Sequence, residues 1–299
     1  MEKAAMMIKA RKLFRDTSDL PTLPAIVSQV VAMLNDPDAS PDDIADLILS
    51  DQVLAARVIR VVNSPLYRTG NAIISVKRAL LFIGFKSLRE MILTSYFVDG
   101  FRKKEQPFDM KIFWINSFSA GAISRYIADQ VDYPDIEKAY LVGILHDIGK
   151  VFLGHHFKSE YGQMLARIKN TGYAAYEAEY EHFGTTHCEV GLCLAQRWNF
   201  PPVYSDIISH HHNSGKATAD PLLTAIVALA DFYCLSHVTL GGITQTSVPG
   251  ASEKNAWQIF KELVPDQPAS SLEYFLADLD EEYYAIGKEV EILFNTMTT

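Results

Sequence analysis

Eight of the nine histidines fall between His146 and His212. His146 and Asp147 are adjacent and follow an apolar run, Tyr140-Leu-Val-Gly-Ile-Leu145. Side by side on a helix, an imidazole and a carboxylate can both reach a metal lying along its edge. Histidine supplies a neutral nitrogen. Aspartate supplies a hard anionic oxygen that can bridge two ions. Gly149 is expected to end that helix, which leaves Lys150 as a cation one turn from the site. His187 is expected at the first helical position after its Thr186 cap, where side chains point into the space beyond the helix. A run of three, His210, His211 and His212, comes next. Asp231 sits inside an otherwise apolar helical stretch, Ala225 to Cys234. A carboxylate there is costly to bury without a metal, a histidinium or a lysine as its partner. His155, His156 and His182 read as solvated surface. The set His146, Asp147, His187, His211, His212 and Asp231 fits two readings: a divalent-metal centre, or a buried hydrogen-bonded network without metal.

Helices must position these residues. Ser40 is a plausible N-cap, with Pro41 at the first helical position, and Ile44, Leu47 and Ile48 come after it at helical spacing. Ser75 opens another helix, and Gly84 suits its C-terminal end. Ser87 with Glu90, and Thr186 with Glu189, have the spacing of capping boxes. No strand run is convincing, and Val58 to Val62 lies inside a helical pattern. The predicted fold class is all-α, a multi-helix globular bundle. Phe101 to Pro107 reads as a linker and Asn213 to Lys216 as a loop. Gly241-Gly242 and Val248 to Ser252 read as a flexible connection. The last segment, Glu253 to Thr299, reads as two helices. The second has an apolar stripe, Leu272, Phe275, Leu276, Leu279 and Tyr283, which packs on the domain or docks a partner.

The formal charge is −9 and the sequence pI is near 5.5. That balance disfavours nucleic acid and anionic membranes as partners. No stretch approaches 18 uncharged apolar residues, so no membrane span is expected. The start, Met1 to Arg15, lacks the apolar core of a signal peptide. The three cysteines, Cys188, Cys193 and Cys234, are too few and oddly numbered for a disulfide framework. A reducing, cytoplasmic setting is expected.

At the His and Asp positions the sequence resembles the HD superfamily of metal-dependent phosphohydrolases. The N-terminal half narrows the resemblance to the HDOD family. The stretches that carry it include Leu20-Pro-Thr-Leu-Pro24, Ala45-Asp-Leu-Ile-Leu-Ser-Asp51, Arg57-Val-Ile-Arg-Val-Val-Asn-Ser-Pro65 and Ala79-Leu-Leu-Phe-Ile-Gly84. Thr186-His-Cys-Glu-Val-Gly191 and Trp198-Asn-Phe-Pro201, ahead of the histidine run, add to it. The resemblance implies an HD-like all-α (HDOD) domain over residues 18–240, with a helical half at 18–105 and an HD-like half at 108–240. A helical lead-in at 1–17 and a helical extension at 241–299 flank it.

The same resemblance implies a regulatory or interaction module of bacterial signal transduction, non-catalytic or weakly catalytic, with other signalling proteins as partners. Self-association is compatible with it. Nothing in the sequence reads as a receiver or other sensor domain, so its input is expected from another chain. The metal-ligand pattern carries over to His146, Asp147, His187, His211, His212 and Asp231, with iron, manganese or zinc as the ion. Lys150 becomes a candidate phosphate contact. Two departures weaken a catalytic reading. Asn116 stands where the HD pattern asks for a histidine, and the Gly-Tyr-Pro of the related phosphodiesterases is missing after the His pair. The alternative is a metal-dependent HD-type phosphohydrolase or cyclic-nucleotide phosphodiesterase.

Overall fold

The structure is a computed structural model that describes residues 24–34, 36–63, 72–102, 106–168, 174–198, 200–237, 250–266 and 268–298. Among these residues all regular structure is helical. Part of the Leu20–Pro24 stretch and the glycine pair at 241–242 lie outside the described residues, as does much of the 101–107 linker.

The described residues form two compact units. One contains α1 (Ala25–Leu34), α2 (Pro41–Leu49), α3 (Gln52–Val62) and α4 (Val76–Arg102). Its helix starts are set locally. The Ser40 hydroxyl accepts from the Asp42 N–H, and Asp51 accepts from the Val53 and Leu54 N–H groups. Asn63 ties this unit together over ten residues of chain. Its amide donates to the Ile59 and Ile73 carbonyls at 2.7 Å each and accepts from the Ile73 N–H at 2.8 Å. Gly84 interrupts α4 with φ +77°, a backbone angle that favours glycine. The side chain of Glu90 is not described, so its expected box with Ser87 is outside the described contacts.

The second unit carries the histidines. Its helices are α5 (Met110–Gln130), α6 (Ile136–Leu145), α7 (Ile148–His156), α8 (Lys158–Ile168), α9 (Ala175–Phe183), α10 (His187–Arg197), α11 (Pro202–His210), α12 (Pro221–His237) and α13 (Ala251–Leu263). The long α14 (Leu272–Thr298) belongs to this unit as far as Tyr283. Helix α5 packs on α6 and α12, while α10 packs on α7 and α11. Trp114, Phe118, Phe152, Phe157, Tyr161 and Phe183 are fully buried among them. Burying aromatic rings of this size is the main stabilising force in such a core. The stripe on α14 packs as a core face: Leu272, Phe275 and Leu279 are buried, and Phe275 meets Trp257 and Phe260 of α13.

Two local expectations are corrected. Gly149 does not end a helix; it is the second residue of α7. The helix break falls earlier, at His146 and Asp147, between α6 and α7. Gly149 is needed for close approach: a Cβ there would collide with the His187 carbonyl group. The expected loop at Asn213 to Lys216 contains a short 3₁₀ turn, Ser214–Lys216.

Candidate metal centre

His146 caps the C-terminal end of α6, and Asp147 occupies the N-cap position of α7 without capping it. The break between the two helices turns both side chains inward. His187 opens α10, whose N-cap Thr186 accepts from the Glu189 N–H. His211 caps α11, and Asp231 projects from the middle of α12. The fold therefore gathers residues more than eighty positions apart. His146, Asp147, His187, His211 and Asp231 are all buried, with Asp231 only 2% exposed.

The centre of the cluster is Asp147. Its Oδ1 lies 3.2 Å from His187 Nε2 and 3.7 Å from His211 Nε2. Its Oδ2 lies 3.4 Å from His146 Nε2 and 2.5 Å from Lys150 Nζ. His146 Nε2 also lies 3.1 Å from Asp231 Oδ1. His187 Nε2 and His211 Nε2 face each other at 3.3 Å.

The far side of each ring explains this convergence. His146 Nδ1 lies 2.6 Å from the Gly143 carbonyl, and His211 Nδ1 lies 2.9 Å from the Ile208 carbonyl. His187 Nδ1 lies 2.6 Å from Glu179 Oε2. A carbonyl or carboxylate oxygen can only accept, so in each ring Nδ1 is the donor. A neutral ring with its proton on Nδ1 presents a lone pair on Nε2. Three such lone pairs point at one buried carboxylate. Imidazoles fixed from behind by an oxygen acceptor are the usual arrangement of metal-bound histidines.

Hydrogen bonding alone does not satisfy this group. His146 Nε2, Asp147 Oδ1 and Asp231 Oδ1 are buried and lack hydrogen-bond partners. Two acceptor nitrogens 3.3 Å apart need an electrophile between them. Charge leads to the same requirement. Asp147, Asp231 and Glu179 are anionic, and Lys150 is the cation beside them, so the group carries an uncompensated charge of −2 when the imidazoles are neutral. Buried charge of that kind is costly unless it is paired. The residues therefore fit a divalent ion. Without one, protonation takes its place. Burial disfavours a charged His146, but Asp147 and Asp231 outweigh it and push the ring up to about 10. Burial, with the positive charge of His146, holds His211 down at about 4 against the opposing pull of Asp147.

Two contributors were not singled out from the sequence. Glu179 is fully buried on α9. It accepts from His187 Nδ1, from the His187 backbone N–H at 2.7 Å and from the Tyr161 hydroxyl at 2.6 Å. Cys188 Sγ lies 3.7 Å from His211 Nδ1. His210, by contrast, turns away and pairs with Asp206 at 2.9 Å. His155, His156 and His182 are half-buried and take no part in these contacts. Asn116 is 4% exposed on α5, and its Oδ1 has no hydrogen-bond partner.

A cavity of about 720 Å³ adjoins the cluster. Lys150, His212 and Asp231 are among its lining residues, together with Tyr176, Glu177, Lys216, Phe232 and the first turn of α13.

Residues 20–214 match the profile of the HDOD domain. The chain belongs to the HDOD domain family. The match ends before Asp231 and before α13 and α14. An HDOD domain protein of unknown function from Geobacter sulfurreducens shares 32% identity, with a TM-score of 0.77 over 97% of this chain and 98% of that one. A proposed signal transduction protein from Marinobacter aquaeolei superposes with a TM-score of 0.72 at 18% identity, covering 99% of this chain and 66% of that one. A proposed phosphohydrolase from Shewanella amazonensis superposes with a TM-score of 0.68 at 23% identity, over 96% and 98% of the two chains. At those identities the last two likenesses show the fold alone. An uncharacterised protein of Treponema pallidum is 28% identical over 218 residues, 70% of this chain. This HDOD chain spans 41% of that relative's length.

Proposed function

We propose that the chain is a regulatory or docking module of bacterial signalling, with a divalent ion held in its HD-like cluster as a structural or signal-linked element. His146, Asp147, His187, His211, His212 and Asp231 are the ligands in this reading, and the ion is iron, manganese or zinc. The observation that carries it is the position of Lys150. It is 4% exposed, and its ammonium lies 2.5 Å from Asp147 Oδ2. Burial disfavours its charged form, but Asp147 and Asp231 outweigh burial and raise its pKa. The cation that a phosphodiesterase would turn toward phosphate is held here as part of the cluster. The polar Asn116 at the upstream position and the missing Gly-Tyr-Pro agree with this. The partner is another signalling protein.

A second reading, a metal-dependent phosphohydrolase, is favoured by one feature: the cavity reaches Lys150, His212 and Asp231. A bound ion would there supply Lewis-acid activation of water and neutralise phosphate charge. Lys150 and Lys216 would orient the anionic group, and Tyr176 would pack against its organic part.

Elemental analysis of the purified protein, paired with hydrolysis assays, tests both. Retained divalent metal without turnover of cyclic di-guanylate or bis-(p-nitrophenyl) phosphate is expected. Turnover with added manganese or iron that is lost on His146→Ala would overturn the regulatory reading in favour of the second.

A further inference from the structure

We infer that Cys188 is itself a ligand, and that His187, Cys188, His211 and His212 form a position for a thiophilic divalent ion such as zinc. This rests on reading the His and Asp cluster as a metal centre. The four residues come from two places: His187 and Cys188 open α10, and His211 and His212 come directly after α11. One donor atom from each can be chosen so that all lie within 4.8 Å of one another. The His187 and His211 Nε2 atoms are 3.3 Å apart, and Cys188 Sγ is 3.8 Å from His211 Nε2. Zinc bonds of about 2.0–2.1 Å to nitrogen and about 2.3 Å to sulfur put tetrahedral donors roughly 3.3–3.6 Å from each other. The His187 and His211 Nε2 atoms thus stand at ligand spacing, while Cys188 Sγ, nearly equidistant from the two His211 nitrogens at 3.7 and 3.8 Å, reaches the shared position by a side-chain rotation.

Two further observations point to an ion at this place. The buried Nε2 of His212 lacks a hydrogen-bond partner, as does the buried Asp147 Oδ1, which lies 3.2 Å from His187 Nε2. His187 Nε2, His211 Nε2 and Asp147 Oδ1 face the space as acceptors. Cys193 and Cys234 belong to no such group among the described residues, so the arrangement is particular to Cys188. When the sulfur–metal bond forms, the thiol proton leaves to solvent and no oxidation state changes. A thiolate also alters the preference of the centre. Imidazole and carboxylate suit manganese and iron as well as zinc, whereas sulfur favours zinc and cobalt over manganese.

Cobalt(II) is the probe. The purified full chain is stripped of metal, loaded with cobalt under reducing, anaerobic conditions and followed by absorbance. A near-ultraviolet thiolate-to-cobalt band is expected in the parent, in Cys193→Ser and in Cys234→Ser. It should vanish in Cys188→Ser while the weak visible bands of cobalt bound to the remaining ligands persist. Cys188→Ala serves if the serine variant does not fold. Cobalt bound without the near-ultraviolet band, or a band that survives both Cys188 substitutions, would overturn the role of Cys188 alone. A folded parent that binds no cobalt would overturn the metal-centre reading as well.

Discussion

Glu179 Oε2 grips His187 twice, 2.6 Å from Nδ1 and 2.7 Å from the backbone N–H. One carboxylate oxygen thus fixes both the ring tautomer and the first turn of α10. The other oxygen is held by Tyr161 at 2.6 Å. Glu179→Gln keeps the shape but removes the charge behind the ring. A metal-bound histidine stripped of its carboxylate partner typically loses about 10–100-fold in metal affinity. Competition against a chromophoric chelator measures this. Equal affinity in the folded variant would mean that Glu179 serves packing only.

Asp231 makes a separate demand on the core. It lies 3.1 Å from His146 Nε2 and is 2% exposed. Asp231→Leu removes the carboxylate that faces the protonated His146 ring, or the ion in its place. The expected loss of stability is about 3–5 kcal/mol, the range for breaking a buried pair. Chemical denaturation of both proteins reads it directly, and an unchanged midpoint would contradict the placement of this carboxylate.

Asn116→His asks whether α5 supplies a ligand position. The asparagine side chain is buried with its Oδ1 unpartnered, and an imidazole is a stronger ligand for a divalent ion than an amide. Tighter zinc or manganese binding by calorimetry is the expected result. A variant with parental circular dichroism and parental affinity would show that α5 stays apart from the centre.

Asp206 gives a pH signature away from the cluster. Burial alone would raise its pKa, but the Ala219 and Thr218 N–H groups and His210 outweigh that and lower it. A depressed carboxylate contributes stability above its unfolded pKa, near about 3.9. That contribution is lost as pH falls through the still lower folded value. Asp206→Asn should therefore melt below the parent at neutral pH, and the gap should close in acid. A gap that stays constant from neutral pH down to about pH 3, below the unfolded carboxylate value, would refute this.

Half of the helices were legible because their signals are local. Ser40 and Thr186 each cap the helix that begins beside them, and Gly84 breaks a helix where its positive φ is required, whereas the Asp51 cap emerged only from the structure. Asp231 was legible because an isolated carboxylate in an apolar helix needs a partner, and that partner includes His146. Glu179 was not. It stands in Tyr176-Glu-Ala-Glu-Tyr-Glu181, where alternating acids look like a solvated face. Only its short separation from His187, across a helix end and a left-handed Gly184, hinted at a return contact. Cys188 was hidden for a similar reason, since its neighbour His211 lies in another helix segment.

The contact of Gly149 with the His187 carbonyl bears on how substitutions across this centre should be interpreted. A single methyl group at position 149 would drive α7 and α10 apart, and with them Asp147 from His187. A residue with no functional group therefore sets donor spacing as firmly as the donors do. In a survey of tolerated substitutions, Gly149 would be as intolerant as the histidines, although it contributes no donor atom to the cluster.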